Sequence, residues 1–568
     1  MPYKAPVEEF RFLLNHVVGY GQVTETERFA EAGGEMMDAI LTEAGRLASE
    51  VLGPLQRNGD LHPAVLENGV VRTSPGFAEG YKAIAEGGWI GISADPEHGG
   101  MGLPITLMES VNEMINGACL SLALNPLLTQ GQIEALEHHA SDELKALYLP
   151  KLISGEWQGT MNLTEPQAGT DVGALRTKAE PDGDGTYRIS GQKIYISWGD
   201  ADFAENVCHL VLARLPDGVP GTKGISLFMV PRNIPDENGK PGERNSLRVV
   251  SLEHKMGLHG SPTAVMEYTE AKGWLVGREH GGMAAMFTMM NNARLGVGIQ
   301  GIGVAEAATQ AAVAYAAERK QGKVGGAGTI IEFPDVRRML MTMRAETQAA
   351  RAIALANAVA LDMANATGDA GWAARAALLT PISKAYGTDV GCEVAATGIQ
   401  VHGGMGFIEE TGAAQFYRDV RVTTIYEGTN GIQALDLVGR KLMDGGEAAF
   451  TLISEVEEAA EAARAQFPRL ADAVWNAAEV QRDLTEAVLE MDMDARGAVA
   501  VAYLRAFARV LGAHYHLASA VAEGGNGPRT GLARFYVMRL LPQHTGLAAE
   551  VRMGSEGMDA LSNEELAG

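Results

Sequence analysis

Between Thr423 and Gln433 the chain reads TTIYEGTNGIQ, with Glu427 as its one carboxylate. An acid between an aromatic residue and a Gly-Thr-Asn-Gly turn can cap a helix, face water or act as a general base. The local text leaves all three open. Metal chemistry finds little support. Cys119, Cys208 and Cys392 lie far apart, form no CxxC and are odd in number. Neither a metal site nor a disulfide framework is expected, and a reducing compartment fits. His138 and His139 read as a surface pair, and no HExxH occurs. GVGIQG at 296–301 matches GxGxxG, but that fingerprint must follow a strand and open a helix. Here it follows MFTMMNNARL and runs into IGVAEAA, so close packing of helices at small residues is the better reading.

The elements that must position these residues come in blocks. Residues 35–155 carry apolar spacing of three to four, as in MMDAILTEAGRLASEVL and LMESVNEMINGACLSLAL. This predicts helices, broken by the Gly/Pro loop SADPEHGGMGLP. From Trp157 to about residue 275, short β-like runs alternate with turn clusters such as PDGDG and PDENGKPGE. YRISGQKIYIS reads there as strand, Gly turn, strand. Without interleaved long helices, the region predicts an antiparallel barrel or sandwich rather than a parallel nucleotide-binding sheet. Helical text returns with the Ala-rich VAEAATQAAVAYAAERK, then with PDVRRMLMTMRAETQAARAIALANAVALDMA, where Pro334 stands near the start. A further helical region follows the DGG break and fills residues 445–568.

A chain of 568 residues allows several domains, at roughly 100–200 residues each. With 46% hydrophobic and 21% charged residues it should be globular. The net charge of −25 repels phosphate backbones and anionic membranes, which argues against a general nucleic-acid binder but leaves room for a local basic pocket. The start, MPYKAPVEEF, has no apolar signal region, and no run of 18 apolar residues occurs. A cytoplasmic enzyme without a membrane span is the expectation.

Four separated segments line up: MNLTEPQAGTDVG (161–173), KIYISWGD (193–200), AYAAERKQG (314–322), and GIQVHGGMGFIEE (398–410), which leads on through YRDVRVTTIYEGTNGIQ (417–433). In this order and spacing they resemble the acyl-CoA dehydrogenase family of flavoproteins, over roughly residues 35–440. The resemblance implies an α+β fold. It consists of an N-terminal arm (1–34), an N-terminal helical domain (35–157), a middle antiparallel β-barrel domain (158–277), a C-terminal four-helix bundle (278–442) and an additional C-terminal helical domain (443–568). It also implies FAD as cofactor, α,β-dehydrogenation of an acyl-CoA thioester, and an electron-transfer flavoprotein as acceptor.

Carried onto this sequence, the resemblance makes Glu427 the base that takes the α-proton, with hydride passing from Cβ to flavin N5. The Glu427 N–H would help hold the thioester carbonyl, and Gly428 would let substrate approach the backbone. A base beside apolar substrate should have a raised pKa. Thr164 and Thr170 would meet flavin, and Thr170 also the CoA portion. Tyr195 and Ser197 stand where the family has Trp and Thr, so an aromatic and a hydroxyl remain for the isoalloxazine. Arg319 resembles the arginine that reaches the FAD pyrophosphate across a homodimer interface. Gln321 keeps the family's spacing, although Gly322 replaces the usual aromatic residue. Gln400, Gly403 and Gly404 would meet the same half of the cofactor, and Thr429 would add a flavin contact. Asn291 and Arg294 resemble a substrate-side pair, with Asn in place of Asp.

The N-terminal arm and the extra C-terminal region resemble a longer bacterial subgroup, which implies a short acyl-CoA such as 3-methylmercaptopropionyl-CoA, from dimethylsulfoniopropionate breakdown. Medium, long or aryl-alkyl chains are rivals, as is an oxidase. A DNA-binding flavoprotein of alkylation response is disfavoured, because residues 445–568 hold 18 acids against 10 bases.

Overall fold

The computed structural model describes residues 3–322 and 328–568. Helix α1 (Val7–His16) buries Phe10, Leu13 and Leu14. Helix α2 (Gly34–Arg46) and helix α3 (Ile105–His139) follow, and α3 is buried along nearly its whole length. Its path breaks at Cys119, where φ is −157° and ψ is 87°. The buried pattern of 35–155 is thus that of a helical domain wrapped around one central helix.

The middle region is a seven-stranded sheet of β1 (Trp157–Asn162), β2 (Lys178–Pro181), β3 (Tyr187–Ser197), β4 (Asn206–Arg214), β5 (Ile225–Pro231), β6 (Leu247–Leu252) and β7 (Thr263–Val276). The order β6-β7-β3-β2-β4-β1, with β5 bridging β7 and β4, closes a barrel. Two features depart from expectation. The sheet is mixed: β1 pairs with β4 in parallel from Trp157↔Asn206 to Asn162↔Val211, and β2 meets β4 in parallel at Lys178↔Arg214. Residues 163–205 form the long crossover that a parallel pair needs. In addition, YRISGQKIYIS is one continuous strand and not a hairpin. Gly191, at φ 155°, passes against the next strand, and a Cβ there would lie 2.9 Å from the Cα of Thr177. The glycine serves close approach within the sheet rather than a turn.

Three long helices follow: α4 (Gly282–Glu318), α5 (Pro334–Thr367) and α6 (Ala370–His402). GVGIQG lies inside α4 and packs on α6 through backbone. A Cβ on Gly387 would lie 2.7 Å from the carbonyl oxygen of Gly298, and one on Gly391 would lie 2.7 Å from that of Gly301. Farther along, Tyr315 stacks on His402 with ring centroids 4.4 Å apart. Contact positions therefore advance together along both helices, so α4 and α6 run parallel, while α5 packs beside them in the opposite direction, Asn357 meeting Thr380 and Glu346 meeting Tyr386. Short helices α7 (Ala413–Val420) and α8 (Asn430–Asp436) complete this layer against α6.

The last region contains α9 (Glu447–Ala463), α10 (Pro468–Glu490) and α11 (Met493–Ala522). Helix α11 packs on α5, α6 and α8. Its Arg509 pairs with Glu346 and donates to the Tyr386 hydroxyl at 3.2 Å, and its Arg496 donates to the Val438 carbonyl at 3.1 Å. The chain's two ends meet: Arg529 pairs with Glu9 at 2.8 Å and lies over the Phe12 ring. Among the described residues no helix is long and apolar enough to cross a membrane, and no cluster of His, Cys, Asp and Glu could hold a metal ion.

Candidate active site

The path into the Glu427 turn is fixed by two other domains. On α7, Arg418 pairs with Asp60 at 2.6 Å, and Asp419 accepts the Leu258 N–H at 2.7 Å. A short 3₁₀ turn (Arg421–Thr424) then delivers the chain to Tyr426, whose hydroxyl donates to Gln300 on α4. Glu427 and Gly428 follow with φ of 54° and 83°. The second is a glycine and adopts the left-handed region without strain. The first is not, and a non-glycine residue held there marks stored strain that the surroundings must enforce.

Those surroundings are specific. Gln433, on α8 and fully buried, donates to the carbonyls of Glu427 at 3.1 Å and Gly428 at 3.4 Å. Lys384, in the middle of α6 and 0% exposed, donates to the Gly428 carbonyl and to Asn430 Oδ1, each at 2.8 Å. Asn430 is in turn held by Ala385, Thr388 and Asp389 of α6. Thr429 caps α8, its Oγ1 accepting the Ile432 N–H at 3.3 Å.

Glu427 is half-buried, and among the described residues no hydrogen-bond donor reaches its carboxyl group. Burial pushes its pKa up to about 7, while the charges of Arg294 and Lys384 pull it back. Burial likewise brings Lys384 down to about 8, against the pull of Glu427 and Asp389. Arg294, on α4, is buried beside Asp436 at 3.4 Å, and its Nε has no partner among the described residues. A carboxyl poised near neutrality in this way can take a proton from a weak carbon acid.

The predicted site residues fall into three groups. Glu427, Gly428, Thr429 and Arg294 gather at the turn. Asn291 lies on α4 one turn before Arg294, but its side chain lies outside the described residues. The second group belongs to the barrel. Thr164 is half-buried and its carbonyl accepts the Ile194 N–H at 2.9 Å, whereas Thr170 is exposed. A bulge opposite Val265 puts Tyr195 at φ 61° and leaves it 62% exposed, with Ser197 half-buried two residues on. Bulges re-aim side chains in this way. The third group, Arg319, Gln400, Gly403 and Gly404, is exposed at the far ends of α4 and α6. At 1.5 Å per residue, Arg319 lies about 37 Å along α4 from Arg294. One chain therefore does not bring the third group to the turn.

Several residues at the site carried no signal that the sequence reading used. Lys384 sits in ordinary helical text, and Asn430 and Gln433, although inside TTIYEGTNGIQ, carry no assigned role there; all three owe their roles to tertiary placement. Glu165, inside TEPQAGTD, anchors its loop by an ion pair with fully buried Lys193 at 2.9 Å and by accepting from Arg176, Thr177 and Gln167. Beside this loop lies a cavity of about 700 Å³ lined by Arg176, Lys178 and Arg214 among others. In so acidic a chain, this is a local cationic surface.

Comparison with known proteins agrees with this layout. Family models match the chain in sequence: acyl-CoA dehydrogenase N-terminal domain over residues 59–156, middle domain over 160–271 and C-terminal domain over 280–443. A model described as acetyl-CoA dehydrogenase C-terminal like matches 452–562. The chain is 48% identical over 458 residues to 3-methylmercaptopropionyl-CoA dehydrogenase of Ruegeria pomeroyi, covering 79% of this chain and 78% of that protein. It is 35% identical over 469 residues to a butyryl-CoA dehydrogenase of Syntrophomonas wolfei, covering 78% and 77%. Among solved structures, Caenorhabditis elegans ACDH-11 in complex with C11-CoA superposes with a TM-score of 0.79 at 20% identity, over 98% of this chain and 96% of that one. That likeness spans the extra C-terminal region as well as the three preceding domains. The chain belongs to the acyl-CoA dehydrogenase family and is an oxidoreductase of that family.

Proposed function

We propose that this enzyme converts a short acyl-CoA, 3-methylmercaptopropionyl-CoA first among them, to the 2-enoyl-CoA, with Glu427 as base. The observation that carries the reading is Glu427: a half-buried residue whose carboxyl meets no hydrogen-bond donor among the described residues, has its pKa raised to about 7 and is set on a strained turn. It takes the α-proton, and the N–H of the same residue, next to Gly428, is the group available to the thioester oxygen. Arg294 sits close enough to Glu427 to moderate its charge, and in sequence it forms with Asn291 the pair that resembles the family's substrate-side residues. The 48% identity to a 3-methylmercaptopropionyl-CoA dehydrogenase supports the acyl group chosen. The cavity lined by Arg176, Lys178 and Arg214, with Glu180 as the acid among its lining residues, suits the anionic nucleotide end of CoA by charge.

The family's cofactor is FAD, and the residues present fit it. Tyr195 offers an exposed aromatic face, with Ser197 and Thr164 beside it on the barrel and Thr429 at the turn. Arg319 offers paired N–H donors suited to a diphosphate, and Gly403 and Gly404 leave open space around their backbone. When bound, FAD supplies the acceptor for the hydride lost from Cβ. The separation of about 37 Å along α4 supports a homodimer in which Arg319, Gln400, Gly403 and Gly404 serve the cofactor of the other copy. An electron-transfer flavoprotein then takes the electrons.

Anaerobic titration of the yellow protein with a panel of acyl-CoA thioesters tests this reading. Bleaching is expected to be fastest with 3-methylmercaptopropionyl-CoA, and to fall by about 10³-fold in Glu427→Gln. Full-rate bleaching of that variant would remove Glu427 as base. Preference for long chains would remove the substrate, and fast turnover on O2 alone would favour an oxidase.

A further inference from the structure

We propose that Lys384 is a positioning residue for proton abstraction: its ammonium, bonded to the Gly428 carbonyl and to Asn430, locks the strained turn that aims Glu427. This deepens the assignment of Glu427 as base and rests on it. Three observations carry it. The first is the bonding itself. Lys384 is fully buried in α6, and its described hydrogen bonds go to the Gly428 carbonyl and Asn430 Oδ1, both at 2.8 Å. A buried ammonium is costly unless its protons are used, so a lysine spent on a backbone carbonyl and an amide has a task that a neutral residue does not perform.

The second is the strain. Glu427 holds φ 54° although its side chain disfavours it. The bonds that oppose relaxation are those from Gln433 to the two carbonyls of the turn and that from Lys384 to the second. Removing Lys384 leaves Gly428 with one long bond of 3.4 Å and leaves Asn430 without the cation it faces. The third is rigidity of the mount. Residues 383, 384 and 387 of α6 pack backbone to backbone on Gly298 of α4, so the ammonium projects from a helix whose position is tightly set. An aim error of about 1 Å in a reacting group is enough to cost about 10² in rate.

The ammonium also biases the proton affinity of the base. The charged groups that face Glu427 are Arg294 from α4 and Lys384 from α6, with Tyr426 adjacent in the chain. Those that face Lys384 are Glu427 across the turn, Asp389 and Cys392 on its own helix, and Arg294. Behind Arg294 stand Asp436, Arg440 and Lys441. Removing one of the two cations that face Glu427 raises its midpoint.

The test uses the holoenzyme with Lys384→Met, which keeps the length and loses both charge and donors, and Lys384→Gln, which keeps a donor and loses the charge. Per bound flavin, the methionine variant is expected to lose about 10²-fold in the rate of anaerobic reduction, with KM within about twofold of the parent. Its acid-limb midpoint should rise by about one pH unit. Glutamine is expected to recover part of the rate while the midpoint stays raised. Isotope-edited infrared titration of the Glu427 carboxyl in flavin-free protein reads the same shift without turnover. A merely structural role would lower flavin content or melting temperature and leave rate per flavin and midpoint untouched, and that result overturns the proposal. If the methionine variant does not fold, the glutamine variant decides, and an unmoved midpoint there overturns it as well. Glu427→Gln is measured alongside. Loss of reduction in that control with parental behaviour in both Lys384 variants refutes this inference alone, whereas full reduction in the control refutes the base assignment itself.

Discussion

Glu165 and Glu427 each have a buried lysine nearby, yet their carboxyl groups differ by about five pH units in where they titrate. For Glu165, burial acts upward, but Lys193, the Thr177 hydroxyl and backbone N–H groups outweigh it and bring the group down to about 2. For Glu427, burial prevails and holds it at about 7, because its lysine is bonded to the turn instead of to the carboxyl. The difference lies in where the donors point. A carboxylate that receives several hydrogen bonds becomes a fixed strut of the loop, while one whose neighbours bond only to its backbone stays ready to accept a proton.

The comparison can be broken by exchanging the burdens of the two acids. The largest effect should be Glu427→Gln, with a loss of about 10³-fold in flavin reduction and no loss of folding, read by stopped flow and melting. Glu165→Gln should do the reverse. It strands buried Lys193 and should cost about 3–5 kcal/mol of stability, read by denaturant unfolding. Gly391→Ala, which forces a Cβ to 2.7 Å from the Gly301 carbonyl oxygen, should cost about 1–3 kcal/mol.

The pH profiles sharpen the same contrast. The reduction rate should rise about tenfold per pH unit below pH 7 and level off above it, as Glu427 loses its proton. Because the folded pKa of Glu427 is raised, ionising it weakens the fold as pH climbs from about 4.5 to about 7. Glu427→Gln should therefore gain slightly in melting temperature at pH 8 relative to its parent, and not at pH 4. Glu165 has a depressed pKa, so its contribution is full above its unfolded value and is lost as pH falls toward about 2. A melting temperature for Glu427→Gln that tracks the parent at both pH values would remove this distinction.

Much of this was legible in the sequence where local pattern and function coincide. The order of helical, β and helical blocks followed from periodicity, and GVGIQG was read as helix packing because its flanks were helical. Glu427 stood out only once distant segments were lined up, since its own text fits a cap as well as a base. Other features depend on contacts that no local pattern encodes. Gly191 was read as a turn because glycine breaks strands as often as it lets them pass closely. The parallel pairing of β1 with β4 is set across residues 163–205, far beyond any window of alternation. Lys384 lies in TPISKAYGTDV, where a lysine is expected on a solvated face, and only the packing of α6 under the turn shows it buried.

The glycine seam between α4 and α6 has a consequence for anyone who would re-engineer the acyl preference. Where backbone rests on backbone there is no side chain to trim or enlarge, so the separation of these two helices is not a design variable. Arg294 and Lys384 inherit that fixed spacing, and the turn with its acid inherits it from them. On the function proposed above, the parts that aim Glu427 are thereby held by backbone contact rather than by exchangeable side chains. A library that varies residues around the acyl group and spares Gly298, Gly301, Gly387 and Gly391 should change what is oxidised without disturbing how.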